Sequence, residues 1–191
     1  MIARPIEQQP AEPADQEVIL SPGLPVEVVR SHRRRRTLQA QVVGGSVRVL
    51  VPAGLPADEE RQLVDRLVAK VTAKVVAGRI DLDSRAGVLA ARYGLPRPRH
   101  IEWSSRQMSR WGSCSPGSDR IRISDRLATM PSWVLDSVLV HEMAHLVEAN
   151  HGPRFTALTG RYELTERATG YLMAVSQQAA EPAPQPGGGG W

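Results

Sequence analysis

The sequence predicts an α+β protein. Residues 25–52 read as strands around a two-glycine turn, and residues 56–92 carry the apolar spacing of helices. Short strand-like runs between 100 and 124 are then followed by a long apolar-periodic stretch that holds most of the histidines.

Taken in order, VEVVRS, TLQAQVV and SVRVLVP are strand-like. Val47, Val49 and Val51 alternate, and Gly44-Gly45 supplies the turn of an N-terminal β-hairpin. Pro56 opens a helix whose first turn is acidic, which suits the positive end of its dipole. Leu63, Val64, Leu67, Val68 and Val71 give that helix one apolar face. A second helix spans Asp83 to Arg92 and stops at Gly94-Leu95-Pro96. HIEWSS, the stretch around RWGSC, and RIRIS are short strands, with Pro116-Gly117-Ser118 as a turn between the last two. Pro131-Ser132 starts an amphipathic helix that is expected to end at Asn150 in a left-handed cap. A last helix is expected from Pro153 to Val175, interrupted in quality by Gly160 and Gly170.

Length and composition bound the rest. A chain of 191 residues with 41% hydrophobic residues is long enough for one domain with a core. Residues 1–24, rich in Pro, Glu and Gln, read as a flexible tail, the domain as 25–178, and the Pro/Gly-rich residues 179–191 as a second tail. The formal charge of +4 permits anionic partners without requiring them. A single cysteine, Cys114, excludes an intrachain disulfide. Neither a signal-peptide pattern nor an apolar run of ~20 residues is present, so the expectation is a cytoplasmic chain with no membrane partner.

The chemistry concentrates in HEMAHLVEANH, residues 141–151, which holds three of the five histidines. His141 and His145 are four apart, so on a helix both rings project to one side and can share a metal ion. Glu142 is turned by ~100° from His141, where its carboxylate reaches a metal-bound water rather than the metal. It can take a proton from that water and pass it to a leaving group. The break at Asn150-His151-Gly152-Pro153 lets the chain turn back and bring His151 to the same metal. Three protein ligands would leave the open position that catalytic zinc requires. Glu163 and Glu166 on the following helix are alternative third ligands, and His151 is preferred.

The chain resembles the YgjP-like metallopeptidases, relatives of the SprT-like and WLM groups. The resemblance rests on RWGSCS at Arg110–Ser115, PSWVLDSVLVHEMAHL, and NHGPRF at Asn150–Phe155, and covers about residues 25–175. It implies a zincin-like fold, with a small antiparallel-rich sheet packed on the HExxH helix. It also implies one zinc ion held by His141, His145 and His151, with Glu142 as general base. The His141–His151 spacing fits the metzincin pattern as well, but Glu148 stands where that pattern has glycine, so the metzincin turn is not assigned.

Arg110 and Trp111 are candidate substrate contacts, set against a structural arginine–carboxylate pair. Cys114 reads as a small core residue. Arg33, Arg34, Arg35 and Arg36 form a basic run that could hold phosphate or nucleic acid, although no aromatics are interleaved for stacking. Three functions follow. The leading one is a zinc-dependent metallopeptidase acting on a peptide or protein. The second is a metal-dependent hydrolase of a phosphoanhydride such as a nucleoside triphosphate. The third is a DNA-associated SprT-like protease or nucleic-acid-binding module that uses the arginine-rich hairpin.

Overall fold

A computed structural model describes residues 16–20, 24–34 and 36–180. Among the described residues it is α+β, with two small sheets and five α-helices, and the chain divides into two compact units, residues 1–72 and 73–191. The sequence pattern alone marks one domain, residues 25–178. The division falls inside a continuous helix, which carries no composition change to mark it. No helix among the described residues is long and apolar enough to cross a membrane.

The first unit is built on β1 (Gln16–Leu20), β2 (Pro25–Ser31), β3 (Gln39–Val43) and β4 (Ser46–Pro52), in the order β1-β2-β4-β3. Gly44 and Gly45 take positive φ and close an antiparallel β3–β4 pair with Val43 opposite Ser46, a turn that favours glycine because it has no Cβ. β2 lies parallel to β4 and antiparallel to β1. β1 falls within the stretch read as a tail; the rest of that stretch, apart from Leu24, lies outside the described residues. Alternate residues of β2 and β4 point inward. Val26, Val28, Val47, Val49 and Val51 are buried, and Val64 of α1 (Ala57–Ala77) closes the cluster. Each such valine contributes ~1.5–3 kcal/mol by leaving water. A two-pronged ion pair from Arg30 to Glu60, with Nη2 at 2.7 Å, ties β2 to the first turns of α1.

The second unit begins with α2 (Leu82–Tyr93). Asp81 caps its start by accepting from the Ser84 amide at 3.0 Å, and Gly94 caps its end at φ 62°. Next come β5 (His100–Ser104), β6 (Gly112–Ser115) and β7 (Arg120–Ser124), in the order β5-β7-β6. β6 and β7 form an antiparallel hairpin, and β5 pairs in parallel with the far side of β7. Both sheets are thus mixed, with two of three pairings antiparallel in the first and one of two in the second. The parallel pairings join strands distant in sequence, which local patterning cannot show.

α3 (Ser132–Ala144) is the central helix of this unit. Val134, Leu135, Val138, Leu139, Val140 and Met143 are all buried, so the helix is apolar on nearly every side rather than amphipathic. It packs with Ile121 and Ile123 of β7, both fully buried, and with Leu89 and Tyr93 of α2. It ends at Ala144, six residues before Asn150, and Asn150 does not take the left-handed cap conformation. The expected last helix is two, α4 (Pro153–Thr159) and α5 (Thr165–Ala180). The Thr165 hydroxyl bonds the Thr159 and Tyr162 carbonyls at 2.8 Å and stabilises the turn between them. α5 extends into the expected C-terminal tail, and residues 181–191 lie outside the described residues.

Candidate metal centre

The end of α3 sets the geometry. His141 sits in its last turn, and His145 is its C-terminal cap, with its amide bonding the His141 carbonyl at 3.3 Å. One turn of rise stacks the two rings on one side, with centroids 4.9 Å apart. The chain then tightens, with the amides of Val147 and Glu148 both bonding the Ala144 carbonyl. That turn places the Glu148 carbonyl 3.1 Å from His145 Nδ1. A carbonyl only accepts, so Nδ1 carries the proton and Nε2 presents its lone pair. His151 arrives from the segment ahead of α4.

The three histidines present ring nitrogens that all lie within 4.8 Å of one another, an arrangement that could hold a metal ion. His141 Nε2 and His151 Nε2 are 3.3 Å apart. Two nitrogens held at ~2.0–2.1 Å by one tetrahedral ion are separated by roughly 3.3 Å, so this pair fits one without rearrangement. Burial, reinforced by the neighbouring His145 and His151, lowers the His141 pKa to about 4 and keeps its ring neutral, the form that ligates. Phe155 of α4 packs on all three rings, at centroid distances of 4.9, 4.5 and 4.6 Å, and is itself buried. Neither glutamate considered as a third ligand joins this group. Glu163 is bonded by Arg92 and by the Tyr93 hydroxyl, each at 3.0 Å, and Glu166 is exposed.

Glu142 is 6% exposed, and no hydrogen bond engages its carboxylate among the described residues. Burial raises its pKa to about 7, against the opposing charge of Arg110. It lies directly on the first residue of β6. A Cβ built on Gly112 would stand 2.5 Å from Glu142 Oε1 and 2.7 Å from its Cγ. The glycine of RWGSCS is therefore the space that the glutamate occupies. Its lack of a side chain was visible in the sequence, but its partner thirty residues away was not.

Trp111 is half-buried, and its carbonyl accepts from the Ser124 amide at 2.9 Å. Arg126 stacks over its ring at 4.0 Å and donates to the Arg110 carbonyl at 3.2 Å. Nothing in the local residue pattern singles out Arg126 as this brace. The Arg110 side chain is exposed and makes no ion pair among the described residues, so the structural pair weighed for it is not formed there. Cys114 faces Ile121 across the β6–β7 ladder, and burial pushes its thiol up to about 11. Of the basic run, Arg33 and Arg36 are exposed, Arg34 reaches Thr37 and Gln39 at 3.5 Å, and Arg35 lies outside the described residues. The run belongs to the first unit and the histidine cluster to the second.

Beside Glu142 and His141 opens a cleft of about 670 Å³, bounded by Trp111 and Gly112, by α3, and by α5. The family model described as YgjP-like, metallopeptidase domain, matches residues 77–163. The match implies a metal-dependent peptidase. No curated protein and no solved structure matched the chain.

Proposed function

We propose that this YgjP-like chain is a zinc-dependent peptidase with a zincin-like catalytic arrangement, in which His141, His145 and His151 hold one zinc ion and Glu142 is the general base. The observation that carries it is the convergence of three imidazole nitrogens beside a buried, unbonded carboxylate at the mouth of a cleft. Three neutral imidazoles suit zinc and leave one position open. A zinc ion held there would polarise a carbonyl and lower the pKa of a coordinated water towards ~7.

The chain's own residues supply the remaining chemistry. Glu142 takes the proton from the attacking water and returns it to the departing amine. Gly112 lets that carboxylate lie against β6, and the Glu148 carbonyl holds His145 in one tautomer. β6 is an edge strand, so its outer backbone groups are open to an extended peptide, which would bond to them as an added strand. Arg110, with no carboxylate partner among the described residues, is available to the developing oxyanion.

The test is a screen of the purified full chain against peptides and nucleoside triphosphates, with a chelator arm and zinc add-back. Peptide cleavage that is lost with chelator and restored by zinc is expected. Glu142→Gln should still bind one zinc but lose ~10²–10⁴-fold in turnover. Cleavage unaffected in that variant, or nucleotide hydrolysis without peptide cleavage, would overturn the proposal.

A further inference from the structure

The cleft beside Glu142 has a distinctive chemistry. Its only titratable lining groups are His141 and Glu142. Trp111, Val138, Leu172 and Met173 give it apolar walls. Thr159, Thr165 and Thr169 also line it, but their hydroxyl protons are engaged by backbone carbonyls of Phe155, Thr159 and Thr165 at 2.8–3.2 Å. A hydroxyl has one proton, so these threonines offer the cleft methyl groups and acceptor lone pairs, not donors. Thr165, Thr169, Leu172, Met173 and Ser176 recur at helical spacing and form one face of α5. All of these lie beyond residue 163, where the family match ends.

From this lining, and resting on the peptidase reading of the site, the geometry points to a specificity subsite: the cleft receives one uncharged, apolar side chain of the peptide substrate, and α5 supplies its selective wall. The volume lies within the ~300–1,000 Å³ of ligand sites and holds a leucine- or phenylalanine-sized group with room for adjoining backbone. An aspartate side chain would meet the like charge of Glu142, and a lysine would find its one counter-charge in that same catalytic carboxylate; Ser137, Ser176 and Gln177 offer only neutral groups, so either charge would lose hydration for poor compensation. Met173 is 59% exposed, so it can be altered without disturbing the core.

The experiment reads binding rather than turnover. The full chain carrying Glu142→Gln, loaded with zinc, is labelled at its methionine methyl groups and titrated with capped Ala-Xaa-Ala tripeptides, where Xaa is Leu, Asp or Lys. The leucine peptide should shift the Met173 methyl and bind at least about tenfold tighter than the charged ones. Met173→Glu should reverse the order of the lysine and leucine peptides. Equal binding of all three, no shift at Met173, or a preference unchanged by Met173→Glu would overturn the inference. A Met173 shift on simple dilution would mark a second copy of the chain as the occupant and overturn it too. Peptide hydrolysis by the wild type reads the proposed function separately.

Discussion

His141 and His145 reach the candidate metal centre from a helix buried on nearly every side, whereas His151 reaches it from an exposed segment between helices. The two halves are held differently. The α3 side is fixed by core packing, and its second ring is locked by a backbone carbonyl. The His151 side has one aromatic contact of consequence, Phe155, which touches all three rings. On the proposed assignment the labour is divided: a preformed helical half carries the base and two ligands, and a less anchored half completes the metal site. Because opening free energies differ along a chain, the second half should be the first to loosen.

The most severe way to break the contrast is to remove the contact that joins the halves. Phe155→Ala should destabilise the fold by ~3–5 kcal/mol, as a buried aromatic truncation does. In chemical denaturation the midpoint should fall, and zinc affinity should fall with it, because His151 loses its support. Unchanged zinc affinity in a destabilised protein would show that His151 is anchored some other way.

A smaller and more selective change touches the α3 side alone. In Gly112→Ala the new methyl meets the buried Glu142 side chain from its carboxylate back to Cγ, so that side chain must be displaced as a whole. A displacement of about an ångström at a reacting group costs on the order of 10²-fold in rate. The fall should appear in kcat with zinc content nearly unchanged, and with a melting temperature lowered by the displaced side chain. A variant with wild-type kcat would mean that the position of Glu142 against β6 does not matter to catalysis.

The halves also differ in how far the sequence revealed them. His141, Glu142 and His145 are related by local helical geometry, which five residues of sequence are enough to state. The α2 cap at Gly94 and the Gly44-Gly45 turn are equally local and stand where the pattern puts them. The end of α3 was not legible, because no glycine or proline marks Ala144; the helix stops where the chain tightens onto the Ala144 carbonyl. The apolar periodicity of α3 suggested one buried face, yet tertiary packing covers the helix nearly all round. Gly112 against Glu142, β5 beside β7, and the α5 wall of the cleft all join residues far apart in sequence. Each is fixed by the fold and leaves only a residue type behind as a clue.

The smallest effect tests how dry the α3 side is. Cys114 lies on β6 behind Gly112, and its thiol is raised to about 11, chiefly by burial and secondarily by the charges of Glu142 and Asp119. Raising a thiol pKa favours the neutral form, so at pH 8.5 the reactive thiolate is scarce. Alkylation by a small iodoacetamide should then run roughly a hundredfold slower than for a free thiol, which is half-ionised there. The rate should climb about tenfold per pH unit and level only as the pH approaches 11. In Glu142→Gln the inflection should move down, but only slightly, because the charge is the lesser cause. An inflection near the ordinary ~8.5 of an exposed thiol would mean that water reaches the strand beneath Glu142, and the contrast between a buried and an exposed half of the site would fail at its buried end.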